Sequence, residues 1–204
     1  MANKVQLGKH VEKLNKDLDD AEAFVDAAAA SDLRTHKQHM SYVYDAAILK
    51  AWVAFERFML TCLTAAINHD SKAISVKIGI EFPVNLNKPV CEYLITGGGF
   101  FDFKGFGGLV DKTKKFLPND HWLPRTLKRE KEGTSVYQGQ IDRFAAVRNF
   151  AAHESPQSKK RFREVTGQER MPTAGSWLKV GSRFTDITTT LRELAKDLER
   201  EARR

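Results

Sequence analysis

Cysteine is scarce in this sequence. Cys62 and Cys91 are the only two in 204 residues, and neither sits in a C-x-x-C or Cys/His spacing. A disulfide framework and a cysteine-based zinc site are excluded, and a reducing compartment fits. Each thiol is expected to act as a small buried hydrophobe. Long apolar runs are missing too. No stretch reaches the ~18 apolar residues of a membrane-spanning helix, so no membrane partner is expected. The opening MANKVQLGKHVEKLNKD lacks the apolar core of a secretion signal, which makes a cytoplasmic location the expectation. There is no internal repeat and no long disordered linker. Glycines crowd into GGGFFDFKGFGG (97–108), but no G-K-[ST] follows, so this is not a phosphate loop. His10, His36, His69 and His121 lack partners at ligand spacing, and neither a metal nor a cofactor is expected.

What is present is a substantial apolar fraction, 42%, and a positive balance: net charge +7 and a pI near 9.4. The first suffices for a real core. The second favours an anionic partner, nucleic acid before membrane. Much of the excess lies in KKRFR (159–163) and the terminal EREARR. Clusters of this kind are also common on plain solvated surfaces.

Periodicity predicts a mainly helical chain. Val11, Leu14, Leu18, Ala21 and Val25 recur at three- and four-residue steps, giving a helix over about 4–30. A second helix is expected over 38–68. Its polar residues Lys50, Arg57, Thr61, Thr64 and Asn68 fall within about 60° of one another, and nearly everything else is apolar. Glu56 points about 120° from that stripe, so it either reaches water at the helix edge or needs a partner. AISVKIGIEF (73–82) alternates like a half-buried strand, with SWLKVGSRF, near 177–181, as its pairing candidate. Asn87 and Pro89 open a short helix over 88–96 that Gly97 ends. The phenylalanines of 97–108 either pin a loop to the core or offer faces for stacking on bases. Further helices are expected over 109–117, 120–130 and 135–154, the last closed by Pro156. Connecting structure with one strand is expected over 156–182, and a final amphipathic helix over 184–203. The expectation is one domain, residues 1–204: a helical bundle with a small β insertion.

The stretch AAVRNFAAHES (145–155) carries the chemistry. Arg148 falls among Ile141, Phe144, Ala145 and Val147, where a fixed charge needs a partner or a bound anion. Asn149 and His153 share a face as i,i+4 neighbours. Arg148 is about 140° round the helix from His153, so the two converge only through the long arginine side chain, fraying, or a second subunit. A plainer reading pairs Arg148 with Glu56 for stability and places His153 in the favourable field of a helix C-terminus. A second R-x-x-x-x-H, Arg34 to His39, lacks an apolar stripe and reads as coincidence.

R-N-x-x-x-H on a late helix, preceded by AWVAFERFMLTCL (51–63) with its W-x-x-F-E pattern, resembles the HEPN domain family. The likeness covers about residues 40–155. The resemblance implies a HEPN-like helical bundle and a metal-independent endoribonuclease of toxin or phage-defence type. It assigns Arg148, Asn149 and His153 to catalysis and Glu56 to holding Arg148. It implies RNA as substrate, a homodimer with facing motifs, and an antitoxin or regulatory partner. A non-catalytic module that binds nucleotide, RNA or a protein is the alternative. Ser155 stands where one subgroup carries tyrosine, so silencing through a modified tyrosine is not implied.

Overall fold

The apolar periodicity of the long segments is realised as helix almost throughout. The computed structural model describes residues 6–131 and 133–204. In chain order they form α1 (Gly8–Ala29), a 3-10 turn (Asp32–Thr35), α2 (Lys37–His69), α3 (Lys72–Ile78), α4 (Lys88–Thr96), α5 (Gly105–Phe116) and α6 (Trp122–Leu127). A two-stranded hairpin follows, β1 (Glu130–Lys131) and β2 (Thr134–Ser135). Then come α7 (Gln138–His153), α8 (Pro156–Thr166), α9 (Ala174–Leu178) and α10 (Arg183–Ala202). The chain is thus mainly helical with a small antiparallel β insertion. Among the described residues no helix is long and apolar enough to cross a membrane.

The β structure is not where alternation placed it. Residues 73–82 are not a strand: α3 occupies most of the segment, and Gly79 ends it in the left-handed conformation at φ 72°. Wound as a helix, the alternating apolar residues no longer share a face. Ile74 is buried, while Val76 is 77% exposed. The expected strand near 177–181 is also absent, because that stretch is α9 and a turn. A lone strand has no ladder partner for any of its backbone groups, whereas a helix satisfies most of them internally. Ser75 Oγ then accepts from Phe82 N, fastening the returning chain to α3. The observed hairpin instead shortens two expected helices, 120–130 and 135–154, at their facing ends. Pro156 does more than close α7. Ser155 caps a new helix, accepting from Ser158 N at 3.1 Å, with Pro156 in its first turn, so the expected connector begins with α8.

The described residues form two compact units. One takes the chain up to Glu12 with Glu56–Gln138 and Glu193–Arg204; the other takes Lys13–Phe55 and Gly139–Arg192. In the first, Phe58, Met59, Cys62, Leu63 and Ile67 of α2 are buried, as are Leu109 and Phe116 of α5 and Leu194 and Leu198 of α10. Phe103 and Phe106 are buried as well, so they pin the glycine-rich stretch, whereas Phe100 is 96% exposed. A polar knot crosses this unit. The buried Tyr137 hydroxyl donates to Asp197, which also takes Arg129 at 2.5 Å and Arg200 at 2.8 Å. Burial alone would raise the Asp197 carboxyl; hydrogen bonds from Tyr137 and Arg129 and the arginine charges outweigh it and hold the group below the usual carboxylate range.

The second unit is organised around aromatic contacts between helices. Trp52 of α2 packs edge-to-face on Phe144 of α7 at 4.8 Å. Phe162 of α8 lies between Phe150 and Trp177, at 5.0 and 5.9 Å. Such pairs add about 0.5–1.5 kcal/mol beyond area burial. Arg192 of α10 grips both Glu22 oxygens at 3.0 Å and Asp19 at 2.6 Å on α1. The short α9 sits against the first turns of α2. Gly175 N donates to Asp45 Oδ1 at 2.6 Å, and Lys179 Nζ reaches Lys37 O and Ser41 Oγ. A β-carbon on Gly175 would stand 1.8 Å from Ser41 O, so only glycine permits this approach.

Alanine normally improves a helical glycine site by about 1 kcal/mol. Here Gly175→Ala forces α9 off α2. We predict a loss of about 3 kcal/mol, as in severe overpacking, read as a lower urea midpoint.

Candidate functional site

α7 owes its burial to residues 141, 144, 145, 147 and 150, and this pattern carries Arg148 along the edge of the apolar face. The guanidinium lies over the Trp52 ring, 5.2 Å from its centroid. Its Nη1 donates to Asn149 Oδ1 at 2.7 Å. Arg148 and Asn149 are both half-buried. A guanidinium held over an indole and bonded to the neighbouring amide has little freedom to turn, which suits it to orient an anion.

His153 is the last residue of α7 and is exposed. Five residues of regular helix put it about 7.5 Å along the axis and about 140° round from Arg148. The structure therefore gathers Arg148 and Asn149 and leaves His153 at the helix end. Glu56 is half-buried on α2 and belongs to the first unit, whereas the other three belong to the second.

The turn after His153 is unusual. Glu154 is the one described non-glycine residue at positive φ, 45°. Its N–H still bonds Phe150 O at 3.1 Å, and Ser155 at once caps α8. Strained backbone of this kind costs about 1–3 kcal/mol and persists only where the surroundings impose it. The turn delivers the chain from His153 straight into the basic KKRFR stretch. Lys159, Lys160, Arg163 and Arg170, with Glu164 and Glu169 among them, line an open groove of about 820 Å³ along α8 and the loop beyond it. Among the described residues none of these four has an ion-pair partner; Arg161, off the groove, pairs with Glu164 at 3.3 Å.

Asp45 was not anticipated from the sequence. Burial raises its carboxyl to about 6; the Gly175 N–H bond opposes the rise, and the nearby Glu154 charge adds to it. The available signal was an acid one turn beyond Ser41 on the apolar α2, a position where water is scarce. Among the described residues no group of three or more His, Cys, Asp or Glu is placed to hold a metal ion.

The chain matches no protein-family model, no curated protein and no solved structure.

Asp45 generates a pH prediction. Its folded value, about 6, lies above the ~3.9 of an unfolded chain, so the native state binds the proton more tightly. Stability therefore falls as pH rises from about 4 to 6, and the loss stays in full above that range. Allowing for solvent at the half-exposed carboxylate, the effect is roughly 1 kcal/mol. Asp45→Asn, which still accepts from Gly175 N–H, removes this decline in urea titrations at pH 4, 5, 6 and 7.

Proposed function

We propose that this chain is a HEPN-like, metal-independent endoribonuclease acting as a homodimer. The observation that carries the reading is the continuity of α7 and α8: an arginine bonded to its asparagine neighbour, an exposed histidine at the helix end, then a groove with four basic side chains against two acidic ones.

In the proposed reaction the RNA 2′-hydroxyl attacks the adjacent phosphorus. A P–O bond forms to the 2′ oxygen while the bond to the 5′ oxygen breaks. Imidazole exchanges protons near neutrality, so His153 takes the 2′ proton and supplies one to the leaving 5′ oxygen. Arg148 offsets the charge that builds on the phosphoryl oxygens, and Asn149 orients them. The products are a 2′,3′-cyclic phosphate and a 5′-hydroxyl. Because Arg148 and His153 diverge by about 140° on one helix, the site is composite: the arginine of one copy serves the histidine of the other. The α8 cations hold flanking phosphates. An antitoxin or other regulatory protein would restrain the activity inside its host.

A second reading has one observation in its favour. Arg148 rests on Trp52, away from the helix end that carries His153, as an anion site without proton transfer would need. It describes a non-catalytic module that binds nucleotide, RNA or a protein.

Cleavage of single-stranded and transfer RNA in excess EDTA separates the two readings. The first expects cyclic-phosphate ends, no cut at a 2′-deoxy position, and loss of cleavage in His153→Ala with the fold intact. It also expects an equal mixture of His153→Ala and Arg148→Ala chains to regain activity through one intact composite site. No cleavage by the folded natural protein on any of these RNAs moves the assignment to the binding module. In either case Lys160→Glu with Arg163→Glu should weaken RNA binding at least about tenfold and flatten its salt dependence by about one unit of slope per lost phosphate contact.

A further inference from the structure

Two arginines of the second unit meet at one small hollow. Arg143 comes from α7, and Arg183 opens α10. With Gln140 of α7, Thr166 at the end of α8 and Trp177 of α9 they line a space of about 230 Å³. Four helices of one unit thus converge on it. Gln140, Arg143, Thr166 and Arg183 are each half-buried, so they belong to the wall and are still reached from solvent.

Neither guanidinium is neutralised. Arg143 Nη1 donates to Gln140 Oε1 at 2.9 Å, and Arg183 Nη1 to Trp177 O at 3.0 Å. Both acceptors are uncharged, and among the described residues neither arginine has a carboxylate partner. Asp186 is the one acid among the described residues of the wall. It is exposed, and its Oδ2 accepts from Ser182 Oγ at 3.1 Å. Two cations against one acid leave the hollow positive. Half-buried cations without counter-ions are costly, and two on one wall also repel. An anion between them removes both penalties.

The contacts already made select the kind of anion. The Arg183 guanidinium lies over the Trp177 ring, 4.8 Å from its centroid, and Arg143 is tied to the Gln140 amide. With its oxygen taken by Arg143, that amide has its N–H groups left to donate. Guanidinium forks from two helices and an amide between them match a group with three terminal oxygens. A hollow of this size holds one such group and not a length of chain.

We infer that this hollow binds a phosphate monoester through Arg143, Arg183 and Gln140. A small free phosphate compound and the 5′ end of an RNA both carry that group. The inference draws on none of Arg148, Asn149 and His153, so it stands apart from the ribonuclease reading.

The test titrates the full chain at constant ionic strength, by calorimetry and by NMR of the Trp177 indole and the Arg143 and Arg183 side chains. The probes are inorganic phosphate, a 5′-phosphorylated RNA trinucleotide, and the same trinucleotide with a 5′-hydroxyl. Both trinucleotides are 2′-O-methylated, so neither can be cut. The first two probes should shift all three signals, and the third should not. Tighter binding of the phosphorylated trinucleotide than of inorganic phosphate assigns the hollow to an RNA end; equal or weaker binding assigns it to a free phosphate compound. Arg143→Gln and Arg183→Gln should each weaken binding at least about tenfold, and Arg183→Lys, which keeps the charge without the fork, by less. Equal shifts from the two trinucleotides overturn the inference. So does the absence of any shift, or binding that survives both glutamine variants while the melting temperature falls, which would make the arginines structural.

Discussion

The indole of Trp52 is the point on which the second unit turns. It meets Phe144 edge-to-face, and the Arg148 guanidinium lies over its ring. A cation carried along the edge of a buried helix face would otherwise be expensive. A place over an aromatic ring retains the charge beside an electron-rich face. The same contact fixes the rotation of α7 about its axis, because Phe144 and Arg148 are one turn apart and both meet one ring. Everything α7 presents at its end, including His153 and the turn into α8, inherits that rotation.

Much of the helical frame was legible because long amphipathic segments announce themselves. Val11 to Val25, the apolar body of α2 and the Phe184 to Leu198 stripe each settle near their expected bounds. The short elements were not legible. Ile74, Val76, Ile78 and Ile80 alternate as a strand would, but alternation records only side-chain order and does not supply a pairing partner. The 177–181 stretch, expected to be that partner, is drawn into α9 by Thr173, which caps it, and by Gly175, which lets it touch the α2 backbone. A glycine required by a neighbouring carbonyl looks the same in a sequence as a glycine in a loop. Pro156 marks a stop for α7, yet with Ser155 before it, it is equally a start.

At the candidate site, residue types and spacing identified Arg148, Asn149 and His153, and the angular separation of arginine from histidine followed from helical geometry alone. What stayed hidden depended on tertiary neighbours: the Trp52 platform, Asp45 beside α9, and the groove that turns KKRFR from a solvated run into one wall of a concave surface.

The left-handed Glu154 has a mechanical meaning. A glycine at that position would adopt φ 45° at little cost, and the chain would gain stability from it. It would also let α8 swing through a wide range of directions relative to α7. A residue with a β-carbon, held there by the Phe150 carbonyl behind it and the Ser155 cap ahead, admits one narrow bend. The junction is therefore a stiff elbow, and the orientation of the basic helix is set by the covalent geometry of the turn before any ligand arrives.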